Sequence, residues 1–241
     1  MKQLIKHYWK TLLFFTIIGL VGGFFVGIYA FDGYPEEMQQ QLIDELTAGG
    51  LGGVPVTILL GVITAFQSAG YGLVLGAVGI LLGKKIGLWK DEKNITKKPL
   101  IASVVISILG GLALILPDLL FFGHYSEAIM ASYATKPTIP YLLATVTYGA
   151  IIEEVMLRLF MMSLVAFILH KLFGKKRETP NTAILVAANI IAAILFSAGH
   201  LPATFVMLGS SPLIIFRCFL LNGVLGLLFG WCIENTVCDM L

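Results

Sequence analysis

The sequence predicts an all-α, polytopic membrane protein: a bundle of six transmembrane helices with both termini in the cytoplasm. Three observations carry that class. Of 241 residues, 58% are hydrophobic and only 12% charged, with a mean hydropathy of +0.91, where soluble domains carry roughly a quarter charged residues. Several apolar runs approach or exceed the ~20 residues that cross a bilayer as helix. Finally, basic residues sort by side. If six spans alternate, 13 of the 16 Lys and Arg fall on one side, which the positive-inside rule places in the cytoplasm beneath a cell (plasma) membrane.

Each element follows from local pattern. Lys2, Lys6 and Lys10 precede an apolar run that makes span 1, about 11–31. The run is too long, and Gly27-Ile28-Tyr29-Ala30 too poor a cleavage site, for a signal peptide. Gly19, Gly23 and Gly27 form a small-xxx-small face suited to close helix packing. Residues 32–53 are acidic, and Pro35 to Leu46 carries Met38, Leu42 and Leu46 four apart, the pattern of a surface amphipathic helix or of a solvated acidic loop. Span 2 covers about 54–83, with Gly72, Gly76, Gly79 and Gly83 on or near one face; at that length it tilts, overhangs or kinks.

A loop holding Lys84, Lys85, Lys90, Lys93, Lys97 and Lys98 leads to span 3, about 99–122, with Pro117 expected at its outer end. Span 4 begins near Pro140, a favourable first-turn position, and runs to about Leu172. The basic turn Gly174–Pro180 leads to span 5, about 181–200. Residues 202–211 carry no charge and are expected to dip back into the membrane, and span 6 covers about 212–233. Three parts result: helices 1–3 in 1–138, a core of helices 4–6 in 139–233, and a short polar tail, 234–241.

Composition also excludes. No basic stripe points to nucleic acid. Cys218, Cys232 and Cys238 show no CxxC spacing, so they read as small buried hydrophobes and not as a thiolate metal site. No repeat with matched broken helices is present, which argues against a small transporter. Arg217, five residues into span 6, is expected to snorkel outward, and Asp118 to lie at the outer interface. His7, His124 and His170 read as interfacial, and Trp9, Trp89 and Trp231 as an aromatic belt.

Charge inside the apolar segments is concentrated in Glu153, Glu154 and Arg158 of span 4. Ionised groups in hydrocarbon are expensive and face a protein interior, where they gate, react or pair. Glu154 and Arg158 are four apart, so they share a helix face and pair. Glu153 points about 100° away and is the carboxylate this pairing leaves over, suited to general-base work. His200 closes span 5. In a straight antiparallel hairpin about the 174–180 turn, Glu153 and His200 are equidistant from the turn and should face each other. Asn222 lies about 15 Å into span 6, at roughly the depth of Glu153. A carboxylate, an imidazole and an amide beside a Glu–Arg pair suit water activation, with His200 polarising a carbonyl or helping to hold a metal; a purely structural buried ion pair and histidine is the competing reading.

Glu153-Glu154-x-x-x-Arg158 followed by Phe196-x-x-x-His200 resembles the first two signature motifs of the CPBP family of intramembrane proteases. That family includes the type II CAAX prenyl endopeptidases and bacteriocin-processing or immunity (Abi-type) proteins. Gly199-His200-Leu201-Pro202, Arg217, Leu220-Leu221-Asn222-Gly223 and Gly226–Trp231 are similar to its prokaryotic branch, and the likeness covers about 139–232. The resemblance implies an intramembrane endopeptidase in which Glu153 activates water, Glu154 and Arg158 shape the site, and His200 binds or orients the water, the scissile carbonyl or a metal. A divalent metal such as zinc on Glu153 and His200 is compatible with it, although Glu154 is better explained by Arg158. The expected partners are lipid and a peptide or membrane-protein substrate.

Members of the family normally continue into a further helix with a His-x-x-x-Asn or His-x-x-x-Asp motif. Here Trp231 is followed by ten residues with no histidine, so the resemblance leads to the expectation of a C-terminally shortened member. A non-enzymatic scaffold or bacteriocin-immunity protein of the same fold is the alternative function.

Overall fold

The computed structural model describes residues 2–89, 97–174 and 177–238. Lys90, Lys93, Lys175 and Lys176 of the predicted basic loops, and 239–241 of the predicted tail, lie outside the described residues, as do the side chains of Lys97, Lys98, Cys232 and Cys238. Among the described residues all regular structure is helical: α1 (Lys2–Asp32), α2 (Glu36–Ala48), α3 (Val56–Gly70), α4 (Gly76–Lys85), α5 (Lys97–Leu120), α6 (Glu127–Ala134), α7 (Ile139–Ala144), α8 (Ser163–Phe173), α9 (Thr182–Gly199), α10 (Leu201–Leu208) and α11 (Pro212–Cys238). π-Helical turns at Tyr71–Leu75, Thr145–Ile152 and Val155–Met162 join α3 to α4 and α7 to α8.

Five described helical segments are long and apolar enough to cross a membrane: Lys6–Asp32, Val56–Lys85, Val104–His124, Thr182–Leu208 and Pro212–Trp231. The predicted fourth span is helical over Ile139–Phe173 but is broken by its π turns and carries the three charges. Long stripes of exposed Leu, Ile, Val and Phe, such as Val104, Val105, Ile108, Leu109 and Leu112 on α5, suit lipid as the solvent.

The chain forms two compact units, one of Met1–Leu81 with Lys136–Phe160, the other of Leu82–Thr135 with Met161–Leu241. In the first, α1 lies along α3. The glycine face predicted on α1 is used: a Cβ on Gly19 would come within 2.5 Å of the Ser68 carbonyl oxygen, and one on Gly23 or Gly27 would overlap Thr64. The close approach lets the Thr64 hydroxyl donate to the Gly23 carbonyl at 2.6 Å across the pair, satisfying a polar group within the protein. Gly79 does the same against the strand of backbone at Leu159, where a Cβ would sit 2.6 Å from the carbonyl oxygen. The surface segment after span 1 is the helical alternative of the two expected: α2 starts behind Pro35 with Glu36 and Glu37 in its first turn, where acidic groups complement the positive helix end.

In the second unit α8 and α9 pack together, and α9 packs on α11. Asn181 caps α9, its side-chain oxygen accepting from the Ile184 N–H at 2.9 Å. Gly226 and Gly230 let α11 approach α9, because a Cβ there would overlap Ala193 and Asn189. Asn189 Nδ2 then donates to the Leu227 carbonyl at 3.1 Å. Phe122, Ile129 and Ile214 form a buried cluster with Leu208, Leu213 and Leu220 packed against it.

One expectation is corrected here. Pro117 stands in the last turn of α5, which ends at Leu120, as expected of the outer end of span 3. Arg217, expected to snorkel to water, turns instead to Asp118. Asp118 is 1% exposed and is gripped by Arg217, with Nε to Oδ1 at 2.6 Å and Nη2 to Oδ2 at 2.5 Å. The Tyr133 hydroxyl donates to Oδ2 at 2.9 Å. A buried carboxylate needs a cation and hydrogen bonds, and α11 and α6 supply them. The residues 202–211, expected to dip back, hold α10, closed at Gly209, whose φ of +84° is open to glycine at no steric cost.

Candidate active site

The predicted site residues divide between the two units. Glu153, Glu154 and Arg158 belong to the first, and His200 and Asn222 to the second. The height argument that paired Glu153 with His200 assumed a straight α-helical hairpin. The helix between Glu153 and the turn is π-helical over Val155–Met162, so simple residue counting does not carry it, and their facing passes to the proposal below.

Within the first unit, the expected Glu154–Arg158 pair forms, with Nη1 3.4 Å from Oε1. The arginine side chain is 5% exposed and the glutamate 39%. The pairing is local: four residues set two long side chains on one face. Glu153 is half-buried and sits at a distortion that periodicity could not reveal. Its backbone N–H donates to the carbonyl of Tyr148, five residues back, where an α-helix would use the residue four back. The two signature glutamates thus stand between two π-helical turns, Thr145–Ile152 and Val155–Met162. Such widened turns recur at functional sites. Tyr148 lies within electrostatic reach of Glu153 and of Tyr71.

In the second unit, His200 occupies the break between α9 and α10. Its ring stacks edge-on against Phe196, with centroids 4.4 Å apart, and Nδ1 lies 2.9 Å from the Phe196 carbonyl oxygen. A carbonyl only accepts, so Nδ1 is the donor in this contact, which leaves Nε2 as the ring nitrogen turned to other partners. The Phe-x-x-x-His spacing therefore positions the ring. Cys218, 1% exposed, staples the same break: Sγ lies 3.4 Å from the Ser197 carbonyl, and the Thr204 hydroxyl donates to Sγ at 3.4 Å. Cys218 is thus buried, as expected, and also polar in its use. Asn222 turns its amide back on its own helix, with Nδ2 donating to the Cys218 carbonyl at 2.9 Å.

Sequence reasoning overlooked Tyr148, Tyr71, Gln67 and the Cys218 staple. The available signal was weak: tyrosines and a glutamine inside otherwise apolar helices. Among the described residues no three His, Cys, Asp or Glu side chains gather to hold an ion.

The fold and its buried charges define a multi-pass α-helical membrane protein with a glutamate–arginine centre inside an apolar segment. Residues 135–238 match the family of Type II CAAX prenyl endopeptidase Rce1-like proteins. That match covers less than half of the chain and encloses all five candidate site residues, consistent with a CPBP-type membrane protease. Neither a curated relative nor a solved structure matches the chain.

Proposed function

We propose that the protein is an intramembrane endopeptidase that hydrolyses a peptide bond by glutamate-activated water. The observation that carries the reading is the pair of signature glutamates between two π-helical turns, with Glu154 paired to Arg158, inside the Rce1-like segment.

In this reading Glu153 takes a proton from water as its oxygen attacks the scissile carbonyl carbon. The proton passes to the leaving amine as the C–N bond breaks. His200 presents Nε2 to the water or, once protonated, to the carbonyl oxygen; its Nδ1–H is committed to Phe196. Glu154 and Arg158 hold the helix face, and Asn222 on α11 is proposed as a further site residue. The catalytic core is 139–233, and the substrate is a peptide or membrane protein reached from lipid. Six spans with both termini in the cytoplasm of a plasma-membrane protein complete the proposal, supported by the one-sided distribution of Lys and Arg.

The test is Glu153→Gln in the full chain, reconstituted in lipid vesicles with membrane-peptide substrates. Cleavage should fall by about 10²–10⁴-fold, the range of a lost general base. Undiminished cleavage sinks the assignment of Glu153. A cellular phenotype that survives Glu153→Ala favours the non-enzymatic scaffold or immunity role instead.

A further inference from the structure

The helix face that carries Glu153 also carries Tyr148, and only the π turn puts them together. In an α-helix, residues five apart point about 140° away from one another. A turn bonded from i to i+5 brings them back towards alignment, and the Glu153 N–H to Tyr148 carbonyl bond is of that kind. The ring direction agrees. The Tyr148 hydroxyl reaches Met156 Sδ at 3.8 Å, and helical side chains lean towards the N-terminus. Met156 therefore leans back past Glu153 to meet the phenol, and the hydroxyl lies near the height of the carboxylate. A thioether is a weak acceptor, so the phenolic proton is loosely held and turns readily to a stronger one.

A second helix carries two further polar side chains. Tyr71 opens the π turn Tyr71–Leu75 and lies within electrostatic reach of Tyr148. Gln67 Nε2 donates to the Tyr71 hydroxyl at 2.5 Å. Gln67 and Tyr71 are polar groups on a helix apolar enough to cross a membrane, where an unsatisfied amide is costly. All four residues belong to the first unit.

We infer that Tyr148 is a positioning residue for Glu153, its hydroxyl orienting the carboxylate. The catalytic consequence rests on the protease reading above; the orientation of Glu153 does not.

The experiment uses the full chain in lipid vesicles and a membrane-permeant carbodiimide, with modification of Glu153 and Glu154 followed separately by peptide mass spectrometry. Tyr148→Phe keeps the ring and removes the donor. It should speed modification of Glu153 by about ten- to a hundredfold, the scale of one hydrogen bond to a charged group, with Glu154 unchanged. Equal Glu153 rates in wild type and Tyr148→Phe, a slower rate, or a parallel rise at both glutamates would overturn the inference. In the cleavage assay, Tyr148→Phe should lower kcat about tenfold at nearly constant KM. Altered Glu153 labelling in a chain that shows no Glu153-dependent cleavage would overturn the protease reading and leave Tyr148 in place.

Discussion

Arg217 closes a two-point grip on Asp118, a residue 99 positions earlier, through Nε to Oδ1 and Nη2 to Oδ2. With Asp118 1% exposed and Arg217 19% exposed at the side chain, the pair ties α11 to α5 inside the protein, and Tyr133 adds a third bond from α6. Removing one partner strands the other as a charge in an apolar interior. Asp118→Ala or Arg217→Ala should each lower stability by about 3–5 kcal/mol. The apolar double variant Asp118→Leu with Arg217→Met should be closer to wild type than either. Thermal unfolding in detergent reads the difference, and additive losses would show that the pair is not coupled.

A second cycle concerns Glu154 and Arg158. Their 3.4 Å contact predicts that Glu154→Gln and Arg158→Met are each harmful and that the double variant recovers part of the loss. The coupling energy should fall at about 0.5–3 kcal/mol, measured by the same unfolding assay. A cycle that closes at zero would mean that the two charges are held by other partners.

Glycines divide cleanly by what surrounds them. A side chain at Gly23 would overlap the Thr64 carbonyl and Ser68, so Gly23→Val should part α1 from α3 and cost about 1–3 kcal/mol. Nothing lies within 4 Å of a Cβ built on Gly70, at the end of α3. Gly70→Ala should therefore be neutral or stabilise by up to about 1 kcal/mol through helix propensity. Expression level and melting temperature of the two variants check the contrast; equal effects would remove close packing as the reason for the α1 glycines.

Which of these features could be read from the chain follows from their range. The α1 glycine face and the Glu154–Arg158 pair depend on residues within a turn or two and stand as expected, and the segment behind Pro35 takes the helical one of its two readings. The Arg217 expectation failed because a lone arginine five residues inside a span has a good local answer, snorkelling, and its true partner lies on another helix. The Glu153–His200 height match assumed uniform helices, and π turns are set by packing that periodicity does not register. Tyr148 was passed over for the same reason: at α-helical spacing it points away from Glu153.

The sequence by itself determined that this chain is a multi-pass helical membrane protein with charge concentrated at 153–158 and a Glu154–Arg158 pair. Hydropathy, charge bias and i, i+4 spacing are local or additive, and lipid as solvent makes them nearly compulsory. Only the tertiary structure decided the rest: the π turn that bonds the Glu153 N–H to the Tyr148 carbonyl, His200 held against the Phe196 carbonyl at a helix break stapled by Cys218, and the burial of Asp118 under Arg217. Each depends on which distant groups must satisfy one another once water is excluded, and that is a property of packed helices, not of any one of them.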